Sequence, residues 1–240
     1  MAKTRLIRKR LSVKNRIAWL TLNRPEKKNA LSEALMDELI AALRQIRDDR
    51  RFRCIVLEAE GDSFSAGLDL YDLRKRHGES WRWDQGGLRE ILALMKSAPQ
   101  ITIAAVKGWC LGGGLVLMNA CELAVAANDA RIGMPEIIRG SHGSVATPTL
   151  FQSGVPAKIA FHVQLTGRNL SGEEAARVGL VSDSVPPGDL KKTVRRLATE
   201  IASRHPAALE HAKLAAYAAL DLPREAGIQV DEFISHRLRA

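Results

Sequence analysis

Gly112-Gly113-Gly114 stands between the apolar run Ile101 to Val106 and the apolar stretch Leu115-Val116-Leu117. Three glycines in a row forgo side-chain packing and raise the entropy of the unfolded chain. Such a triplet belongs where backbone must come very close to another group. The run before it has the length and character of a strand, and the triplet opens a helix. The first N–H groups of a helix lack intrahelical acceptors and carry a partial positive charge, so this junction can hold negative charge developing on a ligand oxygen. Tight helix–strand packing explains the same glycines, and the triplet alone does not choose between the two.

Two further segments point the same way. Phe64-Ser65-Ala66-Gly67-Leu68-Asp69-Leu70 follows the strand-like Cys54 to Glu58 and places Ala-Gly at a second sharp turn, which offers another backbone N–H. Gly133-Met134-Pro135-Glu136-Ile137 sets a single carboxylate among apolar residues. Near the N-terminus, Asn23-Arg24-Pro25 and Asn29-Ala30-Leu31 form a fourth block.

Between these blocks strands and helices alternate, which implies an α/β layout with ligand contacts at the strand ends. Arg16 to Leu22 reads as a buried strand. Ser32 is a candidate N-cap for a helix carrying Leu35, Leu39, Leu43 and Ile46 at helical spacing. Leu123 to Ala127 is another short apolar run. Pro156 to Gln164 reads as a helix, and Ser171-Gly172-Glu173-Glu174 is a capping box with Gly179 at the helix stop. Arg74 to Gly87, with Trp81 and Trp83, is polar and aperiodic: a surface turn or a cover over a pocket. After Pro186-Pro187-Gly188 the pattern is helical, with Leu190, Val194, Leu197 and Ile201 on one face and Lys191, Lys192, Arg195 and Arg196 opposite. A final Ala-rich helix is expected from Pro206 to Leu220.

Chain length, 240 residues, suits one core with at most a small appendage. No apolar run is long enough to span a bilayer, and the basic start leads directly into strand-like residues, so a cytoplasmic location is the expectation. Cys54, Cys110 and Cys121 show no metal-ligand spacing, and no metal site is expected. Cys54 and Cys121 sit in apolar runs and read as buried small hydrophobes, while Cys110 lies beside the glycines with no histidine placed in the sequence to activate it as a catalytic thiol. The net charge of +9 favours polyanionic partners without naming one.

Taken together and in this order, the four blocks resemble the enoyl-CoA hydratase/isomerase (crotonase) family, from about Arg5 to about Pro186. The resemblance implies a crotonase-like spiral of ββα units over residues 1–186, with a C-terminal helical oligomerisation region over 187–240. It implies an acyl-CoA thioester as substrate, with coenzyme A as part of that substrate and no prosthetic group. It places an oxyanion hole at the N–H groups of Leu68 and Gly113 and an acid/base at Glu136, and it assigns coenzyme A contacts to Lys27, Ala66, Asp69, Leu70 and Gly112. A homotrimer or dimer of trimers is implied, and neither a membrane nor nucleic acid is an expected partner.

Several positions depart from the family pattern. Val116 occupies the place of the first of two glutamates that hydratases use, and valine can neither carry a proton nor orient a water. Enoyl-CoA isomerisation by one glutamate, or an atypical hydration, is the reading that follows. His142 and Ser144 lie where relatives carry a glycine-rich stretch, which opens decarboxylation or hydrolysis of a functionalised acyl-CoA. Tyr71 replaces a common lysine, Lys27 and Lys28 remain available for phosphates, and the usual tail is not recognisable after Phe233. A non-catalytic acyl-CoA binder and an RNA-binding relative using the Lys191–Arg196 face are the alternatives from other classes.

Overall fold

The computed structural model describes residues 5–78 and 87–239. Its centre is a six-stranded sheet in the order β1-β2-β3-β4-β6-β9. β1 (Ile7–Ser12) and β2 (Ile17–Leu22) form an antiparallel hairpin; β3 (Cys54–Ala59), β4 (Ile101–Val106), β6 (Leu123–Ala127) and β9 (Asp183–Val185) continue from β2 in parallel. A second sheet of β5 (Trp109–Leu111), β7 (Arg131–Gly133) and β8 (Asn169–Ser171) lies alongside. Isolated bridges Leu31–Leu68 and Ser65–Cys110 extend it toward the N-terminus. Each turn of the chain therefore supplies a long strand to one sheet, a short extended piece to the other, and then a helix. This is the expected spiral.

Parallel strands covered on both sides need apolar residues at every position. β2 is buried throughout, and its side chains divide by alternation. Ala18, Leu20 and Leu22 enter the main core with Leu35, Leu39 and Ile46 of α1 (Glu33–Arg47); Ile17 and Trp19 face a smaller core on the other side. The Ser32 hydroxyl accepts the Leu35 N–H at 3.3 Å and caps α1 as expected.

α8 (Leu190–Ser203) closes the smaller core. Its fully buried line is Leu190, Val194, Ala198 and Ala202, with Leu197 and Ile201 packed at the edge. The small alanines let the helix approach the sheet, so the seam runs at a spacing of four where hydrophobicity alone favoured the larger neighbours. Lys191, Lys192, Arg195 and Arg196 are exposed on the far side.

The structure corrects three further expectations. The strand of Ile101 to Val106 does not run directly into the glycines: the chain turns at Lys107–Gly108 and forms β5 before Gly112. Arg74 to His77, read as loop, are the last turn of α2 (Leu70–His77). Trp81 and Trp83 lie outside the described residues. Finally, the chain does not end with the Ala-rich helix: α9 (Pro206–Asp221) is followed by α10 (Arg224–Arg239), packed against it. The remaining helices are α3 (Leu88–Ser97), α4 (Gly113–Asn119), α5 (Ala146–Phe151), α6 (Ala157–Thr166) and α7 (Gly172–Arg177). The Ser171–Glu174 capping box opens α7 as read from the sequence.

Candidate active site

A cavity of ≈ 440 Å³ opens where the second sheet meets the starts of α2 and α4. Ala66, Gly67, Leu68, Gly112, Gly113 and Glu136 line it, so the turn, the glycine triplet and the Pro-Glu block meet in space.

Around the Ala66-Gly67 turn most backbone donors are used internally. The Ala66 N–H donates to the Lys28 carbonyl at 2.9 Å, the Gly67 N–H to Ser65 Oγ at 3.2 Å, and the Asp69 N–H to the Leu31 carbonyl at 3.0 Å. On the other wall the Gly112 N–H donates to the Gly133 carbonyl at 3.0 Å. The N–H groups of Leu68 and Gly113 have no acceptor among the described residues. A methyl group replacing a Gly113 hydrogen would lie 3.3 Å from the Leu68 nitrogen and 3.2 Å from Leu31 Cδ1. Glycine at 113 thus keeps open the space in front of both free donors.

Glu136 sits on the short 3-10 turn Pro135–Arg139, where Pro135 presets the entry geometry. Its side chain reaches back over Gly112, whose φ of +50° and lack of a Cβ are both required: a Cβ there would overlap Glu136 Oε1. Gly143 packs from the other side, its Cβ position 3.2 Å from the carboxyl carbon. The Oε2 atom is buried with no hydrogen-bond partner among the described residues. Burial pushes the carboxyl above its ordinary value, opposed by its backbone hydrogen bond and by the Arg139 charge.

Val116 is buried in the main core and does not line the cavity, so no carboxylate comes from that position. His142 is exposed, and its carbonyl accepts from Thr147 Oγ1 and Gln164 Nε2. Ser144 Oγ is buried without a hydrogen-bond partner among the described residues, three residues after the cavity-lining Ser141. Cys110 is fully buried beside Met118, and desolvation raises its thiol; the same effect pushes Cys121 up to about 12. Neither is placed as a nucleophile.

An outer groove of ≈ 450 Å³ shares Ala66, Leu68, Leu70 and Arg139 with the cavity and continues past Lys27, Tyr71 and Lys75. Asp69 lies at its wall, but its carboxylate is engaged: it caps α2 through the Asp72 N–H at 3.0 Å and pairs with Arg24 at 2.7 Å. Burial works to raise this carboxyl, yet the Asp72 amide and the Arg24 guanidinium together hold it below its ordinary value. Lys28 points elsewhere, over the Trp109 ring at 5.5 Å. Sequence reasoning missed Arg74, Arg139 and Ser141, which also line the cavity. Arg74 falls in the segment read as loop, and Arg139 and Ser141 flank a glycine in a stretch without periodicity.

A family model described as Enoyl-CoA hydratase/isomerase matches residues 12–239. The (E)-benzylidenesuccinyl-CoA hydratase of Thauera aromatica is 36% identical over 226 residues, covering 91% of this chain and 85% of that protein. Among solved structures, an enoyl-CoA hydratase of Mycobacterium smegmatis superposes with a TM-score of 0.90 at 28% identity, covering 98% of this chain and 91% of that one. A monofunctional enoyl-CoA isomerase of M. smegmatis does so at 0.81 and 29%, covering 94% and 99%. With the spiral fold, two free amides, a lone buried carboxyl and these matches in agreement, the chain belongs to the enoyl-CoA hydratase/isomerase family and is an enzyme of the crotonase type.

Proposed function

We propose that this enzyme shifts the double bond of an enoyl-CoA thioester, with Glu136 as the only proton carrier. The observation behind this reading is one buried carboxylate oxygen, unpartnered among the described residues, in a cavity also lined by Leu68 and Gly113, with Val116 where a second carboxylate would stand. The thioester oxygen accepts from the N–H groups of Leu68 and Gly113. Glu136 takes a proton from C2 of a 3-enoyl group, and the electron pair moves into an enolate held at that oxygen. The same carboxyl then returns the proton at C4, leaving a 2-enoyl thioester. Fixed donors aimed at the developing charge need no reorganisation, and loss of one costs ~10²–10³-fold in rate. Coenzyme A lies in the outer groove, with Lys27 near its phosphates and Ala66, Asp69 and Leu70 forming the wall, and its thioester end reaches Gly112 in the inner cavity.

A second reading is hydration. Ser144 Oγ is a second buried polar atom without a partner in the loop that wraps Glu136, and a water joining the two would satisfy both. The test incubates wild-type and Glu136→Gln protein with 3-enoyl-CoA and with 2-enoyl-CoA. Conjugation of the double bond in the first, without mass change and absent in the variant, supports isomerisation. Gain of one water by the second supports hydration. If Glu136→Gln leaves both reactions untouched, the assignment of the acid/base is wrong.

A further inference from the structure

Two arginines line the reacting chamber, Arg74 and Arg139, and Arg139 stands where that chamber joins the outer groove. On α2, Leu70 and Arg74 are one helical turn apart and both line the catalytic cavity. Tyr71 and Lys75, the adjacent pair, line the outer groove with Lys27. Of the remaining α2 cations, Arg76 and His77 contact Glu33, at 3.2 Å each. Arg74 forms no ion pair among the described residues, and neither does Arg139, which lines the cavity from the opposite wall beside Glu136. Both guanidinium groups sit at the exposed side of the cavity. The one carboxyl within it is Glu136, biased by burial toward its neutral form.

The outer groove offers Lys27 and Lys75 to the phosphates, with Arg139 at its junction with the cavity. An aliphatic acyl chain gives the two guanidinium groups nothing to pair with. A carboxylate suits them, because a guanidinium fork matches its two oxygens and charge-assisted hydrogen bonds are the strong ones. We propose that the acyl group of the substrate carries its own carboxylate, bound between Arg74 and Arg139. The inference rests on the acyl-CoA reading of the site and adds the substrate class: a dicarboxylic monothioester.

The test separates the two levels. Binding of hexanoyl-CoA and adipoyl-CoA, saturated and unreactive chains of equal length, is measured by calorimetry on wild type, Arg74→Gln and Arg139→Gln. Wild type is expected to prefer adipoyl-CoA by about 10-fold or more, in keeping with a hydrogen-bonded charge pair, and each variant to collapse that ratio toward one. Turnover of 3-hexenoyl-CoA and 3-hexenedioyl-CoA follows on the same proteins, with kcat/KM as the readout. Equal affinity for the two saturated chains in wild type overturns the proposal. So does equal weakening of both by each substitution, which would assign the arginines to coenzyme A phosphates. Selective adipoyl-CoA binding without turnover of either enoyl chain would sink the proposed reaction and leave the carboxylate site standing.

Discussion

Glu136 holds a buried oxygen that no group among the described residues satisfies, an arrangement that costs stability and suits a proton carrier. The sign of its pH effect follows from the raised pKa. The folded form binds the proton more tightly than the unfolded chain, whose carboxyl titrates near 4.5. Stability is therefore full below that value and falls as pH rises through the folded pKa. Glu136→Gln removes the penalty, so the variant should melt above wild type at neutral pH, with the gain shrinking toward pH 4, while turnover drops by ~10²–10⁴-fold. A thermal-shift series across pH reads the first effect; a variant that melts lower throughout would contradict it. At Gly113 the contacts waiting for a methyl group are 3.2–3.4 Å, tight but not prohibitive. Gly113→Ala should fold and lose ~10²–10³-fold in kcat, since the methyl group stands in front of both amides. Wild-type turnover by that protein would move the oxyanion site elsewhere.

At the scale of elements, what the sequence revealed depended on whether its signal was local. α1, β2, β4, β6 and the Ser171 capping box were legible because periodicity, run length and a cap lie within a few residues of each other. The Gly112–Gly114 junction was legible as a site, but β5 ahead of it was not: three residues pairing with β7 carry no pattern of their own. α9 was foreseen, but the residue it buries was not. Its Leu214 and Leu220 are exposed, whereas Lys213 is 5% exposed. The Lys213 ammonium donates to the carbonyls of Met95 and Gln100 at 2.7 and 2.9 Å and pairs with Glu122 at 2.9 Å. Glu122 also accepts from Tyr217 Oη and from the Thr102 N–H, tying α9 to β4. These partners lie about a hundred residues away, so no spacing within α9 could have marked Lys213. Lys213→Met should cost ~3 kcal/mol in chemical denaturation, the penalty for removing one partner of a largely buried ion pair, moderated by the hydrogen bonds Glu122 keeps to Tyr217 and Thr102. Adding Glu122→Gln should recover part of that loss, and a strictly additive double variant would show that the pair is not coupled.

Over the described residues, and apart from Leu11, Val13 and Tyr71, exposed large apolar side chains gather in two places. α9, α10 and the link between them present Leu214, Leu220, Leu222, Ile228 and Phe233, and the segment around the Glu136 carboxyl presents Ile138 with Phe161 and Leu165 of α6. Singly exposed leucines need no explanation, but grouped ones mark surfaces that associate. The homotrimer or dimer of trimers proposed from the family resemblance would bury such groups. Ile138 matters most here, because it shares the five-residue turn Pro135–Arg139 with Glu136. A neighbouring subunit pressing on Ile138 would hold that turn, and with it the carboxyl over Gly112. Light scattering should therefore give a mass three or six times the 26.3 kDa chain. The double substitution Ile138→Glu, Leu165→Glu should lower that mass toward a single chain, keep the melting transition cooperative, and reduce kcat more than it raises KM. Wild type running as a monomer at micromolar concentration would remove both the assembly and its coupling to catalysis. A dissociated variant with unchanged kcat would keep the assembly and show that the turn holds Glu136 by itself.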